Sequence, residues 1–286
     1  MASRIDPVGL NHCMGGRRMK ALNRRPFVQH FIVDGACRAG FAFALFAWAI
    51  CSHATALAAP AMPMHFTHVS REDGLSQNNV QSILQDSTGY MWFATESGLN
   101  RYDGYQIRRY SRERGNPNGL ANDFIWVITE DSERNLWLAT QGGGVVRWNR
   151  EADTFTSFRH DPENPHSLAS DDIRTLLVNA DGTIWVGTRD QGLDLLDPLT
   201  GQARHFQHHP DDARSLSNNM VYALHVDSLG QLWVGTDGGA SRLNSALDSF
   251  VHYQNDPLDA QSLSDNRVRT IFGDQSGILW IGTSAG

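Results

Sequence analysis

Beyond residue 51 the chain has no cysteine: Cys13, Cys37 and Cys51 are its three. The body therefore has no disulfide framework, no thiol-ligated metal and no thiol nucleophile. Proline is scarce, 10 residues against 26 glycines in 286, and the chain is 41% hydrophobic and 19% charged. That balance excludes a disordered or collagen-like polymer. No window carries an amphipathic helical pattern of any length. Positive charge is also short in the body. Residues 1–59 hold seven Lys or Arg and two Asp, whereas the remainder holds 17 basic and 29 acidic residues. A body with a net charge of −12 repels phosphate backbones, so nucleic acid is not an expected partner.

The one long apolar run is Ala39–Cys51, thirteen uncharged residues behind a basic stretch that ends at Arg38. Ala56 and Ala58 then supply small residues at −3 and −1 of a cleavage site, the order of a secretory signal. As a helix this run spans about 20 Å, short of the ~30 Å hydrocarbon core. Residues 1–58 are thus expected to be a signal peptide with a long basic n-region, cleaved after Ala58, with residues 59–64 as a short linker. Stretched to Ala59, the same segment could be retained as an anchor. Met14 or Met19 could equally be the start, and Asn23–Val28 resembles a twin-arginine export motif. Either route places the body outside the cytoplasm, in a periplasm for a Gram-negative source.

Everything after the leader repeats. Trp92, Trp137, Trp185, Trp233 and Trp280 are 45, 48, 48 and 47 residues apart, and Leu75, Leu120, Leu168, Leu216 and Leu263 keep the same separations. Three residues after each Trp stands Thr95, Thr140, Thr188, Thr236 or Thr283. Two after it is Ala or Gly, and six before it stands Asp86, Asp131, Asn179, Asp227 or Asp274. Each unit reads as four short strands. In the first these are Val80–Leu84, Met91–Thr95, Leu99–Tyr102 and Gln106–Tyr110, with turns at Asp86–Gly89 and Asp103-Gly104. Four-stranded units at this period predict an all-β propeller of about 4.5 blades in residues 65–286. The indole is expected between adjacent blades, the small residue beside it to admit the neighbouring sheet, and Asp and Thr to bond backbone at turns. Arg134 replaces the turn glycine in the second unit, which predicts a turn of different shape there.

The run Leu75-Ser76-Gln77-Asn78-Asn79-Val80 through Asp86, Gly89, Trp92, Ala94, Thr95, Gly98 and Leu99 resembles the two-component regulator propeller repeat. The resemblance covers roughly residues 65–286. It implies the periplasmic sensor region of a membrane-spanning histidine kinase, hybrid regulator or diguanylate cyclase, whose parent is membrane-anchored and dimeric. In that family two seven-bladed propellers usually precede a β-sandwich, a membrane helix and the output domain. This sequence stops at Ser284–Gly286, after the second strand of the fifth unit, and Phe66–Val69 reads as an outermost strand without its blade. The expectation is an incomplete ring, an N-terminal fragment of a seven-bladed propeller.

No catalytic motif is found: no Gly-x-Ser-x-Gly elbow, and Gly142–Gly144 follows a strand rather than opening a helix. His205–His209 aligns with inter-unit connections that contain Pro162, Pro210 and Pro257, so a solvated linker is expected there rather than a metal site, and no cofactor is expected. The rim loops vary on a fixed frame, so Glu96, Arg189, Asp190 and Asp237 are the candidate ligand-binding residues. The reading is a non-catalytic sensor for a small molecule, such as a carbohydrate. A lyase similar to streptogramin lyase and a secreted protein-interaction propeller are the alternatives.

Overall fold

The computed structural model describes Ser3–Ile5 and residues 66–286. The expected signal peptide and linker therefore lie, apart from Ser3–Ile5, outside the described residues. Val69–Gly286 falls in one compact unit. Among the described residues there is no helix long and apolar enough to cross a membrane.

Five antiparallel sheets follow one another in sequence. With Ser3–Ile5 as β1, the first blade is Val80–Gln85 (β2), Met91–Thr95 (β3), Gly98–Tyr102 (β4) and Ile107–Tyr110 (β5). The second is Ile125–Glu130 (β6), Leu136–Thr140 (β7), Val145–Asn149 (β8) and Thr154–Phe158 (β9). The third is Ile173–Val178 (β10), Ile184–Thr188 (β11), Leu193–Asp197 (β12) and Gln202–Phe206 (β13). The fourth is Val221–Val226 (β14), Leu232–Thr236 (β15), Gly239–Leu243 (β16) and Phe250–Tyr253 (β17). The fifth has Val268–Gly273 (β18) and Leu279–Thr283 (β19), with β1 along the free edge of β19. Strands β2, β6, β10, β14 and β18 touch in series, so the first strand of each blade is the innermost.

The core lies between blades. Trp92 packs with Ile125, Leu138 and Trp148 of the second blade, Trp137 with Ile173 and Val186 of the third, and Trp185 with Val221 and Val234 of the fourth. Trp233 packs with Val268 and Ile281 of the fifth. The small residue two after the Trp is needed for this approach. A Cβ on Gly187 would lie 2.6 Å from Val221 Cγ1, and one on Gly235 2.7 Å from Val268 Cγ1.

Each Thr hydroxyl donates to the carbonyl that closes its strand turn, from Thr95 to Gly98 (2.9 Å) through Thr188 to Gly192 (2.8 Å) to Thr283 and Gly286 (3.0 Å). The Asp does more than cap its turn. Asp86 Oδ1 accepts from the Thr88 and Tyr90 amides, while Oδ2 accepts the Trp92 indole N–H at 2.7 Å. Asp131, Asp227 and Asp274 hold Trp137, Trp233 and Trp280 in the same way. Asn179 turns its amide to Thr183 Oγ1 instead.

Two expectations need correction. Arg134 does not change the shape of its turn. It adopts φ +66°, the left-handed conformation of Gly89, Gly182, Gly230 and Gly277, and its amide donates to Asp131 O (3.1 Å) as Gly89 does to Asp86 O. The flanking ladder dictates the turn, and the side chain accepts the strain. Phe66–Val69 forms no strand, and Phe66 is exposed.

Candidate functional site

Every inner strand carries the same irregularity. Pairing with the second strand skips one residue between Val80 and Ser82, Ile125 and Val127, Ile173 and Thr175, Val221 and Ala223, and Val268 and Thr270. The skipped residues are Gln81, Trp126, Arg174, Tyr222 and Arg269. A bulge leaves its extra residue outside the ladder and re-aims its side chain. Four of these five line one cavity of about 370 Å³ that spans the second to fifth blades. Arg189 and Gln141, from the loops after the second strands, complete the polar lining, and Phe124 and Met220 supply apolar surface.

The lining is ordered by stacking. The Arg174 guanidinium carbon sits 3.6 Å from the Trp126 ring centroid and 5.9 Å from that of Tyr222. Arg269 covers the other aromatic of the set, 4.1 Å from the Tyr222 centroid, and Phe124 packs on Trp126 at 4.4 Å. Such cation–π contacts fix a guanidinium's plane while leaving its N–H edge free to donate. Tyr222 donates its hydroxyl to Met220 Sδ (2.6 Å), and Arg269 Nε donates to Ser284 Oγ (2.9 Å). Among the described residues, no carboxylate forms an ion pair with Arg174. Burial pushes its pKa below the ordinary arginine value, with Arg269 and Arg189 adding to the effect.

Asp172 stands just before this strand. Its Oδ2 lies 3.6 Å from Arg189 Nη1, while its buried Oδ1 has no hydrogen-bond partner. Burial pushes the Asp172 carboxyl above the usual carboxylate range, and nearby Asp190 adds to this, against the opposing charge of Arg189.

Of the four rim residues expected from the sequence, Arg189 lines the cavity. Glu96 is engaged on the first blade, accepting from the amides of Asn79 (2.7 Å), Gln81 (3.1 Å) and Gln77 (3.4 Å). Asp237 pairs with Arg267 at 2.9 Å, and Asp190 is exposed. The structure does not bring these four together. The bulge residues were missed because they fall on an unspecified position of the repeat; a residue that changes identity at a fixed offset from the Leu was the available signal.

The histidines of the 205–209 run diverge, and the expected linker begins only after His205. His205 lies on β13, where its Nδ1 meets Asp194 Oδ1 at 2.6 Å, and in the connection that follows His208 Nδ1 meets Leu216 O at 2.7 Å. That second contact recurs as His160 to Leu168 O. In three of the four connections a serine latches the turn as well: Ser167, Ser215 and Ser262 Oγ accept from the amides of Asp161, His209 and Asp256.

The two-component regulator propeller family matches five stretches, residues 74–97, 119–142, 167–190, 215–238 and 262–285, one per blade. A curated protein of Formosa agariphila, Histidine kinase P4, is 47% identical over 45 residues, 16% of this chain and 3% of that protein. Two solved B. thetaiotaomicron structures share the fold. One is the extracellular domain of what is described as a hybrid two component system, with TM-score 0.51, 23% identity, and coverage of 77% of this chain and 40% of that one. The other is the extracellular domain of what is described as a one component system, with TM-score 0.59, 24% identity, and 73% and 26% covered. Virginiamycin B lyase from Staphylococcus aureus aligns with TM-score 0.51 at 14% identity over 71% of this chain and 62% of its own. This chain spans less than half the length of the histidine kinase and of the two B. thetaiotaomicron domains.

Proposed function

We propose that this chain, whose five units are two-component regulator propeller repeats, is the extracytoplasmic sensory propeller of a signal-transduction protein. It binds a small solute and catalyses nothing itself. The observation that carries the reading is the row of inner-strand bulges. On a frame of repeated Leu, Asp, Trp and Thr, one unpaired position changes from Gln to Trp, Arg, Tyr and Arg, and four of these line a single cavity. A side chain outside the ladder can vary without cost to the sheet, which suits a recognition surface.

The basic segment and apolar run before Ala58 support export to the periplasm. The parent protein would be a membrane-anchored, dimeric histidine kinase, hybrid regulator or diguanylate cyclase. A solute signals in such an assembly only if it binds one arrangement of the domains more tightly than another.

Two measurements test this. Alkaline phosphatase, which needs an oxidising compartment for its disulfides, is fused after Gly286. It should be active in whole cells and inactive once residues 1–58 are deleted; activity that ignores the deletion overturns the export reading. Thermal-shift screening of the full chain with neutral sugars, sugar acids and short organic acids should give at least one saturable stabilisation. Hydrolysis or elimination of any of them by the chain would overturn the non-catalytic reading.

A further inference from the structure

Resting on the solute-binding reading, we infer that the bulge cavity takes an organic carboxylate, with Arg174 as its principal anion contact. Three arginines, Arg174, Arg189 and Arg269, line the cavity, and among the described residues no carboxylate does. Guanidiniums brought this close repel one another, and an anion bound among them offsets that repulsion. The aromatic faces that would stack a neutral sugar are already covered, Trp126 by Arg174 and Tyr222 by Arg269. Each of those rings therefore carries a guanidinium, the planar fork that binds a carboxylate through two parallel hydrogen bonds.

The remaining lining argues against a bare inorganic ion. A volume of about 370 Å³ belongs to the range of small-molecule sites, and Phe124 and Met220 offer apolar contact that an ion has no use for. A carbon skeleton against these two, with its acid group on Arg174 and Arg269, uses the whole surface. Arg189 is partly neutralised by Asp172, so two free guanidiniums face the ligand, enough for one or two carboxylates.

Isothermal titration of the full chain tests this with D-glucuronate and D-glucose, which differ in one acid group, and with succinate as an acid lacking a sugar ring. Inorganic phosphate is the fourth probe. Binding of glucuronate or succinate with glucose silent is the expected result, and the two acids distinguish a sugar acid from an aliphatic one. Arg174→Met should weaken the bound acid about ten- to hundredfold. Arg174→Lys, which keeps the charge and loses the fork, should recover part of that. Arg214→Met, an exposed arginine in a blade connection, should leave affinity unchanged. Circular dichroism and melting of each variant separate lost binding from lost folding. Equal binding of glucose and glucuronate overturns the carboxylate assignment while leaving a solute sensor in place. So does tight binding of phosphate alone, or affinity for an acid that survives in a folded Arg174→Met. Silence of all three organic probes overturns the assignment as well, and another neutral sugar found in the thermal screen would then show that the sensor reading survives it.

Discussion

Trp233 and Trp280 occupy the same place in successive blades, yet one is 4% exposed and the other 39%. Their local bonds are alike: each indole donates to the Asp six residues earlier, at 2.8 and 3.0 Å. In the fifth blade Asp274 is even pulled down to about 2, by hydrogen bonds from Ser276 and Trp280. What differs is the neighbour. Trp233 has the fifth blade against it, whereas Trp280 and the cross-strand Phe272 lie open. The first blade shows the converse on its other face, where Ile83 is 59% exposed while its counterpart Ile128 is 5% exposed. The comparison separates two sources of order. Hydrogen bonds within a hairpin set the conformation of each blade, and apolar burial between blades supplies most of the stability.

The sharpest way to break this comparison is to truncate both indoles. Trp233→Ala should cost about 3–5 kcal/mol in urea unfolding, and Trp280→Ala about 1 kcal/mol or less, since little of its packing exists to lose. Equal costs would mean that the indole–Asp bond, not the neighbouring blade, carries the stability. Next comes the space beside the indole. Gly187→Ala pushes a methyl into Val221 of the next blade and Thr175 of its own, and should destabilise by about 1–3 kcal/mol. Gly282→Ala meets Thr270 of its own blade alone and should cost less.

A smaller effect compares the third and fourth blades, where His205 faces Asp194 and His252 faces Ser241 at equivalent cross-strand positions. The hydrogen bond to Asp194 raises the His205 pKa, its charge adding to the effect against the cost of burial. A raised histidine stabilises the fold fully below the unfolded value of 6.5 and loses that contribution as pH rises through the folded value. Because His205 is partly exposed, the loss is about 1 kcal/mol or less. Melting temperature should therefore fall with rising pH above 6.5 by a component that disappears in Asp194→Ser; an unchanged profile would remove the pair from the account. The smallest change is a gain. Arg134→Gly relieves a left-handed arginine and should raise stability by about 0.5 kcal/mol, read from the urea midpoint.

Much of this architecture was legible because its determinants recur. Leu, Trp and Thr mark a blade five times over, with Asp in four units and Asn179 in the other, and in the first unit three of eight strand limits differ from the observed ones, each by one residue. The indole–Asp bond lay in the same spacing but needs the hairpin drawn before the six-residue separation brings the two together. Arg134 misled because a local turn preference was weighed without the ladder that overrides it. The cavity was hardest to read. Trp126, Arg174, Tyr222 and Arg269 share no residue type, and only a skipped pair in the ladder turns them toward one another. Glu96 and Asp237 each already have partners, in their own blade or the next one.

The latch in the blade connections has a consequence of its own. A side chain on Leu168 O or Leu216 O, together with a serine that ties the preceding turn, is assembled entirely from residues between one outer strand and the next inner one. A segment copied from one leucine to the next therefore carries its own joint with it. Gene duplication can add such a segment in register without designing a new junction, and an ancestral array could lengthen one piece at a time while each newcomer's bulge residue drifted toward a different chemical task.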